Sequence, residues 1–407
     1  MHVLAILLIC LGILASALAD TEEPACKLKE LIKTDERAQR NGYPTESHFV
    51  TTSDGYILNL YRIPNSQNVE YRNVNRPAIL LQHGLFSNSD CWLSGGPGNA
   101  LAYLLADAGF DVWLGNARGN IYSRNNTVIS LKNPKFWRFD WHEIGTIDLP
   151  TMIDYILDKT GEEKIHYAGH SQGTTAYFVM MSERKEYNDK IKSAHMLAPC
   201  AFFEHATSAV FKILRPLVGK PGGMWNQVLG NMEFLPLNRF INRLSDTACG
   251  LEPSMQFLCK DMWLLFAGDG YKNTNLTALQ ELLETHPGGA SSNQGIHYVQ
   301  LSGHNAGRFC QMDYGEKKNN KLYGQPTPPE YNLENIMAPT YLYSSNNDGL
   351  CNPKDVDTLA SKAIHLAGHY HVPDPTFNHL DFIVAKHMRE MVNDPVIENI
   401  LKHENSL

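Results

Sequence analysis

The stretch that most constrains the fold is Lys164–Met181, which reads KIHYAGHSQGTTAYFVMM. Ile165, His166, Tyr167 and Ala168 form a short β-prone run that suits a buried strand. From Thr174 onward the chain becomes almost continuously apolar, as a buried helix requires. Between them Gly169 and Gly173 bracket His170, Ser171 and Gln172, so the motif is G-x-S-x-G on a strand-to-helix turn. Such a turn leaves no room for a side chain at either flanking position and exposes the serine hydroxyl on a strained elbow. The helix that follows aims its first N–H groups at the hydroxyl, where negative charge can develop.

The residues on either side of this elbow alternate between strand and helix patterns. His48–Tyr61 reads as two strands joined by a turn at Ser53-Asp54-Gly55-Tyr56, after a modestly helical Lys27–Asn41. Pro77–Leu81 is an apolar strand ending at His83-Gly84-Leu85, and Leu101–Ala108 is helical. Asp111–Leu114 is a further buried strand, Asp148–Lys159 has helical spacing, and Ala194–Ala198 is the strand after the elbow. This order implies an α/β fold with a mostly parallel central sheet covered on both faces.

From about Phe203 to Asn335 the alternation breaks. Helical pieces at Val210–Val218, Met224–Leu235 and Met262–Phe266 are joined by Gly-, Pro- and Asn-rich loops. We read this as an α-rich cap, 203–335, inserted into a sheet domain made of 20–202 and 336–407. Its Phe211, Ile213, Leu214, Trp225, Trp263, Leu264 and Phe266 are more large apolar side chains than a small solvated insertion needs. Strand character resumes at Pro339–Tyr343 and near Ala363–Leu366, and a final helix starts near Leu380.

A serine hydroxyl is a poor nucleophile until a base takes its proton, and the base needs a third group to fix its tautomer. On this kind of elbow the partners follow in the order serine, acid, histidine. Asp348, in Asn346-Asn347-Asp348-Gly349, comes directly after a buried strand, at the end of the sheet where the acid belongs. Asp355 is the rival, but it follows Asn352-Pro353 and suits a first-turn helix position. Of the 17 histidines, His379 stands out because it follows the last strand and a Pro373/Pro375 loop and opens the terminal helix. His365, His369 and His371 lie in or beside the preceding strand region. The Gln172 N–H can supply one oxyanion donor, and the strand-end loop His83-Gly84-Leu85 the other, through Leu85.

Val3–Leu18 is nearly all apolar and is followed by Ala17-Leu18-Ala19 before Asp20, a small-x-small pattern, so 1–19 reads as a signal peptide cleaved after Ala19. It is too short for a membrane anchor and lacks a basic stop-transfer flank. The sequons at Asn125 and Asn275 agree with secretion. Seven cysteines remain after cleavage, an odd number that leaves at least one thiol unpaired. Cys249 and Cys259 are the closest pair and can staple a local loop. A net charge of −8 argues against a nucleic-acid partner, and the sequence holds no zinc-ligand cluster, Walker loop or dinucleotide fingerprint.

Taken together, Asp54–Leu58, Leu81–Leu85, Ala106–Gly119, Asp148-Leu149-Pro150, His166–Thr175 and Asn378–Phe382 resemble the animal acid lipases, the gastric and lysosomal acid lipase family of α/β-hydrolases. The resemblance spans nearly the whole mature chain. It implies an α/β-hydrolase fold with a cap, or lid, and hydrolysis of neutral lipid esters at a lipid–water interface. The substrates would be triacylglycerols and in some members cholesteryl esters, with no metal or cofactor. It places the family's triad on Ser171, Asp348 and His379, its oxyanion donors on Leu85 and Gln172, and its cap disulfide on Cys249–Cys259. One departure stands at the acid, where the family's glycines are replaced by Ser344-Ser345-Asn346-Asn347. The resemblance makes a secreted serine lipase the leading expectation, with lysosomal delivery as the alternative destination. An inactive lipid-binding or storage relative, or an esterase for small soluble esters, are the competing readings.

Overall fold

The computed structural model describes residues 32–66, 76–235 and 272–404. The signal segment Val3–Leu18, the Cys249–Cys259 pairing, Trp263, Leu264, Phe266 and the Trp225 side chain therefore lie outside the described residues.

Among the described residues the strands β1 (Glu46–Thr51), β2 (Tyr56–Ile63), β3 (Ala78–Gln82), β4 (Asp111–Gly115), β5 (Asn125–Asn126), β6 (Ile165–His170) and β7 (Ile191–Leu197) enter one sheet. A short β8 (Glu233–Phe234) and β9 (Ala290–Ser291) pair only with each other, and β10 (Thr340–Ser344) and β11 (Leu366–His371) complete the large sheet. Its order is β1-β2-β4-β3-β6-β7-β10-β11, with β5 beside β2. β1 and β2 form the expected antiparallel hairpin and β2 meets β4 antiparallel, while every pairing from β4 to β11 is parallel.

The parallel strands are apolar on both faces because both are covered. Leu80, Trp113, Tyr167 and Met196 pack into one core, and Ile79, Leu81, Val112, Leu114, Ala168 and Leu197 into the other. Helices supply the cover: α1 (Thr34–Arg40), α2 (Leu101–Asp107), α3 (Leu149–Thr160) and α4 (Gln172–Glu183) in the first half. Every residue of α4 up to Ser182 is buried, which explains why its sequence shows no polar stripe.

Between β7 and β10 come α5 (Ala209–Val218), α6 (Met224–Leu229), α7 (Leu276–Leu283), α8 (Ser292–Leu301) and α9 (Glu316–Tyr323). Within this excursion α8 rests on the helix after the elbow, with the Tyr298 hydroxyl donating to Thr175 Oγ1 at 2.9 Å. His297 of α8 stacks on Trp141 with ring centroids 3.8 Å apart. Two sequence expectations need correcting here. The Met224–Leu235 helix stops at Leu229, and Glu233–Phe234 instead pair antiparallel with Ala290–Ser291. The last strand runs over Leu366–His371 rather than Ala363–Leu366.

After β10 come α10 (Pro353–Lys362), then α11 (Asp381–Val384) and α12 (Asp394–Glu404), so the final helix expected from near Leu380 is there only the four residues of α11, and the last helix begins later. No helix among the described residues is long and apolar enough to cross a membrane.

Candidate active site

Ligands of open parallel sheets collect at the carboxyl ends of the strands, and four loops meet there. The elbow after β6 carries Ser171 at φ 53° and ψ −116°, a conformation that costs an L-residue about 1–3 kcal/mol. Both flanking glycines are required by close approach. A Cβ on Gly169 would lie 2.8 Å from the Gly173 carbonyl carbon, and one on Gly173 only 2.3 Å from the Gln82 carbonyl oxygen. The chain is held there by the Ser171 N–H, which donates to Leu197 O at 3.0 Å.

The structure brings Ser171, His379 and Asp348 into one hydrogen-bonded chain. Ser171 Oγ lies 2.8 Å from His379 Nε2, and His379 Nδ1 lies 2.8 Å from Asp348 Oδ2. With a carboxylate at Nδ1, that nitrogen carries the proton and Nε2 is free to accept one from the serine. The other carboxylate oxygen, Asp348 Oδ1, accepts the Leu350 and Cys351 N–H groups at 2.9 and 2.8 Å. Asp348 and His379 are both almost wholly buried, so nothing but protein competes for these bonds. The Ser344-Ser345-Asn346-Asn347 stretch before Asp348 leaves this geometry intact, and the Asn347 side chain ties the turn to Thr376 O at 3.0 Å.

Asp355, the rival acid, faces elsewhere. It sits in the first turn of α10 and accepts the His205 backbone N–H at 3.0 Å and the His205 ring N–H at 2.8 Å. His369 and His371 meet at the Ser344 hydroxyl on β10 and β11, apart from Ser171.

The loop after β3 passes directly beside Ser171: a Cβ on Gly84 would lie 3.1 Å from Ser171 Cβ. Leu85 is the next residue on that turn, and Gln172 opens α4. His83 anchors the loop. Its Nδ1–H donates to Gly84 O at 2.7 Å, and its Nε2 accepts the Ala117 N–H at 3.1 Å. Burial pulls His83 down to about 4, so it stays neutral and keeps both bonds at ordinary pH.

A family model described as "alpha/beta hydrolase fold" matches residues 77–386, and one described as "Partial alpha/beta-hydrolase lipase region" matches 34–96. Lipase 3 of Drosophila melanogaster is 41% identical over 91% of this chain and 93% of its own length. The gastric triacylglycerol lipase of Bos taurus is 39% identical over 88% of each chain. The chain belongs to the animal acid lipase family. It is a lipase, a carboxylic ester hydrolase of the α/β-hydrolase fold. Among solved structures, a thermophilic esterase from Thermogutta terrifontis superposes at a TM-score of 0.50 with 14% identity, covering 88% of this chain and 99% of that one, a likeness of fold alone.

Two features of this lipase escaped the sequence reading. His170, the residue before Ser171, donates from Nε2 to the His379 carbonyl at 3.0 Å, its ring 5.0 Å from the His379 ring. Burial first, then repulsion from His379, pulls it down to about 3, so it braces the His379 backbone without adding charge. The second is a disulfide between Cys200 and Cys351. Cys200 lies three residues past the end of β7 and Cys351 seven past the end of β10, two strands that pair in parallel, and that topology is the signal that would have found the bond. Cys91 and Cys310 are buried free thiols. Among the described residues, Cys200, Cys351 and His379 alone are clustered closely enough to resemble a metal site, and there the two sulfurs are bonded to each other. Of the sequon asparagines, Asn125 is exposed on β5, whereas Asn275 is half-buried and caps α7 through its Oδ1.

Proposed function

We propose that this lipase is secreted and hydrolyses neutral lipid esters at a lipid–water interface, triacylglycerols first and sterol esters second. Ser171 Oγ attacks the ester carbonyl while His379 Nε2 takes its proton, and the Leu85 and Gln172 N–H groups hold the oxyanion. His379 then protonates the leaving alcohol, and Asp348 stabilises the imidazolium and fixes its tautomer. Water, deprotonated by the same histidine, hydrolyses the acyl-enzyme.

The hydrogen-bonded chain Ser171–His379–Asp348 at the carboxyl ends of the parallel strands carries the reading. Residues 203–335 act in it as the cap that receives the acyl chain. Phe211 is buried against Phe203, and Leu214 packs on the same core, so the half-buried Ile213 is the described one of these side chains left to meet substrate. The apolar start at Val3–Leu18, cleaved after Ala19, takes the chain into the secretory route, where Asn125 and Asn275 receive glycans; lysosomal delivery is the alternative destination.

The test is hydrolysis by purified protein along an ester series from acetyl to oleoyl. Rates should hold or rise with chain length, and Ser171→Ala should lose on the order of 10⁶ in kcat, as nucleophile knockouts do elsewhere. A steady fall with chain length would leave a hydrolase of small soluble esters, and near-normal activity of Ser171→Ala would end the serine mechanism.

A further inference from the structure

We propose that the Cys200–Cys351 disulfide is a positioning element for the acid, holding the Asp348 turn against the nucleophile elbow. The inference rests on the roles proposed above for Ser171, Asp348 and His379. Its starting point is what each half of the bond is tied to. The Cys200 N–H donates to Thr174 Oγ1 at 2.9 Å, and the same hydroxyl donates to the Ser171 carbonyl at 2.6 Å. Thr175 Oγ1 donates to the Cys200 carbonyl at 2.7 Å, so the first turn of α4 grips Cys200 on both sides. At the other end the Cys351 N–H donates to Asp348 Oδ1 at 2.8 Å. One covalent bond thus closes a path from the nucleophile's own carbonyl to the acid's carboxylate.

The location fits this role. Both cysteines are almost wholly buried, and their sulfurs lie within 4.8 Å of a His379 ring nitrogen. Other bonds would survive loss of the disulfide. The Leu350 N–H still reaches Asp348 at 2.9 Å, and the Thr207 and Ser208 N–H groups both reach Gly349 O at 2.9 Å. The turn would therefore loosen rather than unfold. A displacement of about 1 Å at a catalytic group can cost on the order of 10² in rate, a loss in kcat rather than in substrate binding.

The experiment compares wild type with a Cys200→Ala/Cys351→Ala variant. In parallel, native wild type is treated with a water-soluble phosphine, which gives the disulfide two electrons, takes up oxygen from water as phosphine oxide and leaves two thiols. Sites are counted by titration with an organophosphonate ester that labels the active serine, so kcat is read per folded site. Expected in both arms is a loss on the order of 10² in kcat with KM within about twofold. The phosphine should leave the double variant unchanged. If kcat per titrated site stays at the wild-type value, whatever happens to the melting temperature, the bond is a stabilising crosslink only and the proposal is overturned. If the double variant does not fold, the phosphine arm decides by the same criteria. Failure of the serine mechanism itself looks different, since wild type would then take up no phosphonate and Ser171→Ala would remain active.

Discussion

Asp348 and Asp355 are both buried carboxylates just beyond β10, and each faces a different histidine. Asp348 meets the ring nitrogen opposite the one that contacts Ser171, whereas Asp355 holds His205 at the entry to the 203–335 region. Replacing Asp348 by Asn keeps the shape but favours the wrong imidazole tautomer, so kcat should fall by about 10⁴. Asp355→Asn should leave kcat within a few-fold and lower stability by about 1–3 kcal/mol, the range for weakening a buried hydrogen-bonded acceptor. Parallel kcat values on one ester, with urea midpoints for both variants, separate the two roles; a larger kcat loss at Asp355 would show that the acid has been misassigned. Ser171, Asp348 and His379 were legible because each follows a strand pattern in the chain order such elbows impose. His170 was not, because one histidine among 17 shows nothing of the carbonyl it will meet.

The elements divide into those fixed by local pattern and those fixed by distant partners. β3, β4, β6 and β7 are apolar runs buried on both faces, so sequence placed them within a few residues. β8 exists only because β9, far along the chain, lies beside it, and no local pattern near Glu233 announces that. β11 is the sheet's edge and carries His369 and His371, so its polar composition hid it behind the more apolar residues preceding it. The joint between α4 and β3 gives the sharpest element-level prediction. Gly173→Ala drives a Cβ into the Gln82 carbonyl, a backbone atom that cannot rotate away. It should destabilise by about 1–3 kcal/mol, the usual range for overpacking, and also lower kcat by displacing the Leu85 loop. Gly295→Ala, inside α8 with nothing within 4 Å of the new methyl, should instead stabilise by about 0.5–1 kcal/mol and leave kcat unchanged. Urea unfolding of the two variants tests the opposite signs. A stable, fully active Gly173→Ala enzyme would mean that the helix and strand are not in contact as described.

Over the whole molecule, buried titratable groups pull stability in opposite directions as pH changes. His83, His170 and His286 are held neutral by burial at about 4, 3 and 3, so the unfolded chain takes up their protons first and stability falls as pH drops below about 6.5. The buried carboxyl groups oppose this. Asp381 is fully buried two residues from His379, and desolvation raises it from the ordinary 3.8 to about 6 against the Asn378 N–H bond that favours its charge. Because its folded value lies above its unfolded one, the folded state binds the extra proton between pH 6 and 4. Asp381 therefore weakens the fold at neutral pH and relieves it on acidification. Asp381→Asn keeps an acceptor for the Asn378 N–H and removes the charge. A shift of this size is worth at most about 3 kcal/mol, so at pH 7.5 the variant should be the more stable protein by up to that amount. The difference should shrink through pH 6 and vanish near pH 4, where wild type is protonated as well. Urea midpoints for both proteins across that range give the answer. A difference that stays constant with pH, or that grows as pH falls, would show that Asp381 is ionised in the folded enzyme at an ordinary value and that its burial is compensated by the bonds from Asn378 and Thr274.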